Sequence, residues 1–176
     1  MKTLCSRLLF FTLGVFLVIV PICAQNETST VVSINYSDFA SNIYPNLKEN
    51  RPFVILFGSN YCPYSRKQLD LLKNIATHTN AHDYVNFYCI NADIDENYDW
   101  LQRLFIQNEP EERGVPTWAF SPGKTDISEE LDDVLYIIVG NLTYDDILEE
   151  LEDCINDKAY GDLEDFLNGL ANEPSK

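Results

Sequence analysis

Phe53-Val54-Ile55-Leu56-Phe57-Gly58-Ser59-Asn60-Tyr61-Cys62-Pro63-Tyr64-Ser65 is the stretch on which the fold turns. Its first five residues form an unbroken apolar run between Pro52 and Gly58, the pattern of a strand covered on both faces and central in a largely parallel sheet. Beyond it, Leu69, Leu72, Ile75 and Ala76 return at helical spacing with polar residues between them, so a short loop links that strand to an amphipathic helix. Cys62 falls at the junction. A sulfur placed there meets the unpaired amides of the helix's first turn and the positive end of its dipole, and both favour the thiolate. Pro63 suits the first helical position, where its missing N–H leaves nothing unsatisfied, and Arg66 and Lys67 bring positive charge into the next turn.

Working outward, Val31 to Ile34 reads as a short strand and Tyr36 to Leu47 as a helix capped by Asn35 or Ser37. Val85 to Ile90 gives a third strand, followed by a helix over Tyr98 to Gln107 that ends in the acidic Asn108-Glu109-Pro110-Glu111-Glu112. Thr117 to Phe120 and Val134 to Val139 are strands on either side of Ser121-Pro122-Gly123 and a polar stretch, an antiparallel pair with a long loop over 121–133. The sheet is therefore expected to be mixed. Asn141-Leu142-Thr143 leads a further helix with Ile147, Leu148, Leu151 and Ile155 on one face, and Leu163, Phe166, Leu167 and Leu170 mark a last amphipathic segment. No internal repeat interrupts this order.

The chain has 176 residues, 12 of them Lys or Arg and 28 Asp or Glu, for a net charge of −16. That balance repels nucleic-acid phosphates and anionic membrane surfaces and directs attention to proteins and small molecules. Lys2 and Arg7 precede a 13-residue apolar run from Leu8 to Val20 that ends at Pro21 and Ala24, the layout of a secretory signal peptide over residues 1–24. A membrane span needs about 20 apolar residues, and no later segment supplies them, so no stable membrane insertion is expected. Cys23 would be the lipid-bearing residue of a lipoprotein, but Ile22 before it is larger than such processing usually accepts. Cleavage after Ala24 leaves a net charge of −18 and the cysteines Cys62, Cys89 and Cys154. An odd number in an exported chain leaves at least one thiol free or paired to another molecule. The expected organisation is a signal peptide over 1–24, one domain over 25–156, and an amphipathic helix and tail over 157–176.

The order of elements, the Cys62-Pro63-Tyr64-Ser65 sequence after the second strand, and Gly114-Val115-Pro116-Thr117 before the fourth together resemble the thioredoxin superfamily over about residues 31–156. The acidic Asn91-Ala92-Asp93-Ile94-Asp95-Glu96-Asn97 is similar to the segment that ends the family's third strand, and Gly140 to its glycine before the last helix. The resemblance implies an α/β thioredoxin-like fold, a mixed central sheet flanked by helices, here with an extra C-terminal helix. It implies a cis bond before Pro116, which would lie beside the Cys62 sulfur, with neighbouring backbone groups receiving an extended substrate peptide. Cys62 and Ser65 then take the catalytic positions, and Tyr61, Pro63, Tyr64, Val115, Pro116 and Thr117 the substrate-binding ones. Pro63-Tyr64 is also similar to glutaredoxins, some of which carry the same four residues, but the N-terminal strand and helix and the Gly-Val-Pro-Thr form favour thioredoxin.

Two departures bear on mechanism. The family's second cysteine is Ser65, which cannot resolve a mixed disulfide, and the acid often buried six positions before the nucleophile is Leu56. The resemblance therefore implies a monothiol thiol–disulfide oxidoreductase acting on cysteine-containing proteins or on glutathionylated ones, with an external thiol such as glutathione releasing the adduct. The alternative is a noncatalytic partner-binding or quality-control protein that uses the same groove. Neither requires a cofactor or a metal.

The other signals are weaker. Cys89 in mid-strand reads as a small buried hydrophobe. Cys154 could pack likewise or pair with Cys89. His78 and His82 read as loop histidines rather than metal ligands, and Asp126 to Asp133 lacks the glycine and ligand spacing of a calcium loop. Trp100 and Trp118 read as core or sheet-edge aromatics, with Trp118 a candidate border of the groove. Residues 125–176 hold 16 acidic and 2 basic residues, which reads as a solvated helix face. Asn26, Asn35 and Asn141 begin glycosylation sequons, though 16 asparagines make chance matches common. The ending Asn172-Glu173-Pro174-Ser175-Lys176 is not of the Lys-Asp-Glu-Leu type, so secreted or periplasmic placement is expected rather than retention in the endoplasmic reticulum.

Overall fold

The computed structural model describes residues 31–47, 51–77, 84–123 and 130–156, with side chains to residue 154. The expected signal peptide, the two histidines, Asn26 and the last amphipathic segment lie outside the described residues. Strand β1 (Val31–Ser33) is followed by a helical segment, α1, in which an α turn (Tyr36–Asp38), a π turn (Phe39–Ile43) and a 3₁₀ turn (Tyr44–Asn46) succeed one another. Then come β2 (Phe53–Gly58), α2 (Pro63–Thr77), β3 (Asn86–Asn91), α3 (Asp95–Asn108), β4 (Thr117–Ser121), β5 (Tyr136–Val139) and α4 (Tyr144–Asn156).

The strands form one sheet in the order β1-β3-β2-β4-β5, in which β1, β3 and β2 are parallel and β4 is antiparallel to both β2 and β5. The run from Phe53 to Phe57 is thus central. Its side chains alternate between two cores, as a strand's period of two requires. Val54 and Leu56 join Leu72, Ile75, Trp118 and Ile147 on the side of α2 and α4. Phe53, Ile55 and Phe57 join Phe39, Trp100 and Leu104 on the side of α1 and α3. The second core is largely aromatic, with the Phe39 ring 4.9 Å from Tyr88 and the Phe57 ring 5.1 Å from Trp100, both edge-on.

The start of α1 differs from the sequence expectation. Asn35 holds the N-cap position, but its side chain makes no capping bond and neither does that of Ser37. The Tyr36 N–H instead donates to Asn97 Oδ1 of α3 at 2.8 Å, so the cap is supplied from 61 residues away. Asn97 is fully buried, and its amide also donates to the Asn91 carbonyl (2.9 Å) and to Asn35 Oδ1 (3.4 Å). One side chain thereby ties α1, the end of β3 and α3 together. Helix α3 starts three residues earlier than expected, at Asp95, because Asp95 and Glu96 suit the positive end of the dipole. At α4, Thr143 and Asp146 bond reciprocally, Thr143 N–H to Asp146 Oδ2 (2.7 Å) and Asp146 N–H to Thr143 Oγ1 (3.2 Å).

Asn97→Ala should destabilise the protein by roughly 2–3 kcal/mol, since it leaves a buried N–H and a buried carbonyl unmatched. Urea unfolding checks this. A loss below about 0.5 kcal/mol, the scale of an ordinary surface change, would show that α1 does not depend on this cap.

Candidate active site

Cys62 stands at the N-cap of α2. Its N–H donates to the Ser59 carbonyl (3.2 Å) and its carbonyl accepts the Arg66 N–H (3.4 Å), so the loop closes on itself just as the helix begins. The sulfur consequently faces the first-turn amides. The thiol pKa lies below the ordinary cysteine value, first because of the Ser65 hydroxyl, then because the Ser65 and Tyr64 backbone N–H groups point at the sulfur. Arg66 is the weakest of the contributing groups, and Lys67 is not among them, which corrects the weight placed on nearby positive charge in the reading of the sequence. Arg66 instead directs its guanidinium at the Asn60 carbonyl (3.1 Å).

Across the groove, the Val115–Pro116 peptide bond is cis, and the Cys62 Sγ–H donates to the Val115 carbonyl at 3.6 Å. Pro116 is buried, Val115 half-buried, and Thr117 fully buried with its hydroxyl donating to the Gly114 carbonyl. Thr117 thus secures the loop from within, and with β2 on one side and β5 on the other it has no surface open to a partner, which corrects its expected place among the substrate-binding residues. The Gly140 N–H donates to the Pro116 carbonyl at 2.9 Å, and Gly140 takes a φ of 114°, a left-handed-region value that favours glycine, as β5 turns into the next loop. Tyr61 and Tyr64 flank the sulfur and are exposed, 88% and 55%, so two aromatic rings border the groove mouth.

Gln68 was not singled out in the sequence, and it joins the two sides of the site. From the buried face of α2 its Oε1 accepts both the Trp118 indole N–H (3.0 Å) and the Leu142 N–H (3.0 Å), and its Nε2 donates to the Leu142 carbonyl (3.1 Å). Trp118 is accordingly fully buried and does not border the groove, contrary to one sequence reading. A polar residue on an otherwise apolar helix face, four before Leu72, was the available signal.

No disulfide joins Cys89 to Cys154. Cys89 is half-buried rather than enclosed, and burial pushes its pKa up. Cys154 is buried with its sulfur 3.3 Å from the Tyr136 hydroxyl, which also donates to Glu150 Oε2 at 2.9 Å. Among the described residues no cluster of three or more His, Cys, Asp or Glu could hold a metal ion, and no helix is long and apolar enough to cross a membrane.

No family model and no curated protein matches the chain. Among solved structures, a chloroplastic thioredoxin z is similar over 70% of this chain and 93% of its own, at 18% identity and a TM-score of 0.51. A thioredoxin f from spinach chloroplast gives 72%, 94%, 18% and 0.49, and the thioredoxin of Malassezia sympodialis 70%, 89%, 20% and 0.49. Together with the five-stranded mixed sheet, the first of these likenesses establishes the thioredoxin-like fold.

The three thiols should separate in alkylation. At pH 6.5, iodoacetamide should label Cys62 at least about tenfold faster than Cys89 or Cys154 in the folded protein, because the Cys62 thiolate is favoured, burial pushes the Cys89 pKa up, and Cys154 is buried. Equal labelling of Cys89 or Cys154, read by peptide mass spectrometry, would move the reactive site away from α2.

Proposed function

We propose that the chain is an exported monothiol thiol–disulfide oxidoreductase that acts on cysteine-containing proteins. The observation that carries this reading is the Cys62 sulfur, its pKa lowered at the start of α2, set against the Val115 carbonyl with no second thiol in the four-residue turn. As a thiolate it attacks one sulfur of a partner disulfide, forming the Cys62–partner disulfide while the other partner sulfur leaves as thiolate. An external thiolate, from glutathione or another protein, then attacks the partner sulfur and Cys62 leaves as thiolate, so that electrons and protons balance without a cofactor.

Ser65 serves Cys62 as hydrogen-bond donor both when it attacks and when it leaves. Tyr61, Pro63 and Tyr64 border the incoming chain, and the half-buried Val115 supports it in extended form beside Pro116. Export rests on the signal-peptide layout of residues 1–24, with the mature protein secreted or periplasmic. A noncatalytic binder using the same groove would show as one long-lived Cys62 adduct instead of turnover.

Two measurements test the reading. The unmodified protein should reduce insulin poorly, since nothing in the turn expels the bound partner, and Ser65→Cys should raise the rate several-fold. Leu56→Asp combined with Ser65→Cys should raise it further, by giving the new thiol a buried proton acceptor. With a glutathionylated peptide and free glutathione the unmodified protein should turn over, and Cys62→Ser should abolish it. Fast insulin reduction by the unmodified protein, or a stable Cys62 adduct that glutathione cannot release, would overturn the monothiol cycle.

A further inference from the structure

Gln68 lies six residues past Cys62 on α2, about 9 Å further along the helix axis at roughly 1.5 Å per residue. Its side chain is buried, and its amide has three partners: the Trp118 indole N–H and the Leu142 N–H on Oε1, and the Leu142 carbonyl on Nε2. Two donors and one acceptor fix which end of the amide is oxygen. Leu142 lies beyond the end of β5, yet its N–H and carbonyl are both paired, as the peptide group of a neighbouring strand would pair them.

Both partners stand close to Pro116 along the chain. Trp118 follows it by two residues in β4, and Leu142 follows by two residues Gly140, whose N–H donates to the Pro116 carbonyl at 2.9 Å. Helix α2 is thus joined to the far wall of the groove by two routes that start at one amide. The groups that lower the Cys62 pKa, on Ser65, Tyr64 and Arg66, all belong to α2 and keep their place if that wall shifts, and Val115 is not among them. A thiol is a weak donor, so its 3.6 Å contact with the Val115 carbonyl adds little to the hold.

We propose that Gln68 is the positioning residue of the partner site: it sets where the Val115–Pro116 wall stands relative to the Cys62 sulfur, and thereby how an extended cysteine-bearing chain is received, without setting how readily the sulfur ionises. An apolar side chain at this position leaves three polar groups unmatched in the core. The Leu142 segment then turns to water for its partners, and Gly140 draws Pro116 with it. The charged groups on the elements packed about the amide, Arg66, Lys67 and Asp70 of α2 and Asp145 and Asp146 of α4, are exposed, and among the described residues none of them bonds to it.

The inference rests on attack by Cys62 in the proposed function, but its test needs only the first step of that cycle. In the full chain, Cys62 is presented with a single-cysteine peptide whose sulfur is held in a mixed disulfide with thionitrobenzoate, and separately with the same mixed disulfide of free cysteine, the rate of Cys62→Ser being subtracted from each. Attack forms the Cys62–peptide or Cys62–cysteine disulfide, and the coloured thionitrobenzoate anion leaves with the electron pair of the broken S–S bond. The same bond breaks in both, so the ratio of the two rates reads the groove. Gln68→Met should lower that ratio at least about fivefold, through a higher half-saturating peptide concentration, while the pH profile of Cys62 labelling by iodoacetamide stays native. Gln68→Glu keeps the shape and adds a sign: protonated, its carboxyl makes all three bonds, and ionised it sets an oxygen against the Leu142 carbonyl. Burial raises that carboxyl's pKa, so its ratio should be native at about pH 5 and at least about fivefold lower at pH 8, and this variant carries the test if Gln68→Met fails to fold. Phe39→Leu, which loosens the packing on Phe53 at the opposite end of β2, should lower stability and leave the ratio native. A native ratio in folded Gln68→Met, or in Gln68→Glu at pH 8, would overturn the proposal, as would an equal fall in Phe39→Leu or a shifted Cys62 labelling profile in Gln68→Met. Failure of glutathione-driven turnover in the unmodified protein would instead sink the monothiol cycle and leave the assignment of Gln68 standing.

Discussion

The relation between the Cys62 helix and the Val115–Pro116 loop depends on the buried amide of Gln68. These two parts lie 53 residues apart, and at the sulfur they meet through the long thiol contact to the Val115 carbonyl. The Gln68 bonds to Trp118 and Leu142 instead fix α2 against β4 and against the loop that follows Gly140. That loop in turn holds Pro116 through the Gly140 N–H. The chain of contacts from α2 to Leu142, from Gly140 to Pro116, and from Trp118 along β4 triangulates the groove without any charge. Each link is a neutral hydrogen bond worth about 1 kcal/mol net, but severing one inside the core strands its partner at a higher cost. Rigidity at the groove therefore comes from satisfied polar groups in an apolar core.

Much of this was legible in the sequence, and the exceptions have physical causes. The central strand was readable because an apolar run bounded by proline and glycine is long enough to be a strand and too short for a buried helix. The Cys62 helix was readable because its apolar residues recur at 3.6 spacing and proline sits where helices begin. The two sides of the groove were readable only through resemblance, since nothing in Gly114-Val115-Pro116-Thr117 alone places it 3.6 Å from a sulfur 53 residues earlier. Asn97 and Gln68 were missed because both bond to groups distant in the chain, and although Gln68 stands on an apolar helix face, nothing local names the partners of a buried amide. Asn35 holds the expected N-cap position but makes no side-chain capping bond for the same reason, a tertiary partner having taken the role that local chemistry offered.

Under the proposed monothiol reading, Ser65 and Leu56 belong together. Leu56 lies between Cys89 on one side and Trp118 on the other, fully buried against α2. A carboxylate there would lose its hydration with no cation beside it, a cost tolerable where a second thiol needs a proton acceptor. With serine at position 65 that need disappears, and leucine adds apolar burial instead. The small residues that remain around the position, Gly58, Ser33 and Cys89, leave space at the back of Ser65.

Charge decides less at this site than the composition suggests. A net charge of −16 opposes a thiolate anywhere on the molecule, and α4 alone carries Asp145, Asp146, Glu149, Glu150, Glu152 and Asp153. Yet a unit charge at ~15 Å in water contributes only about 0.3 kcal/mol before screening, and at physiological salt the Debye length of about 8 Å removes most of that. A hydrogen bond to a charged sulfur is worth roughly 1.5–3 kcal/mol, and the Ser65 hydroxyl and the Ser65 and Tyr64 backbone amides act on Cys62 at short range to lower its pKa. The short-range donors therefore prevail over the distant carboxylates, and the Cys62 pKa falls on a strongly acidic protein. What the net charge does control is encounter, since an anionic thiol meets a repulsive field that salt relieves. Under the proposed exchange reaction, acidity would act on the rate at which partners arrive, while the start of α2 would set the chemistry they meet.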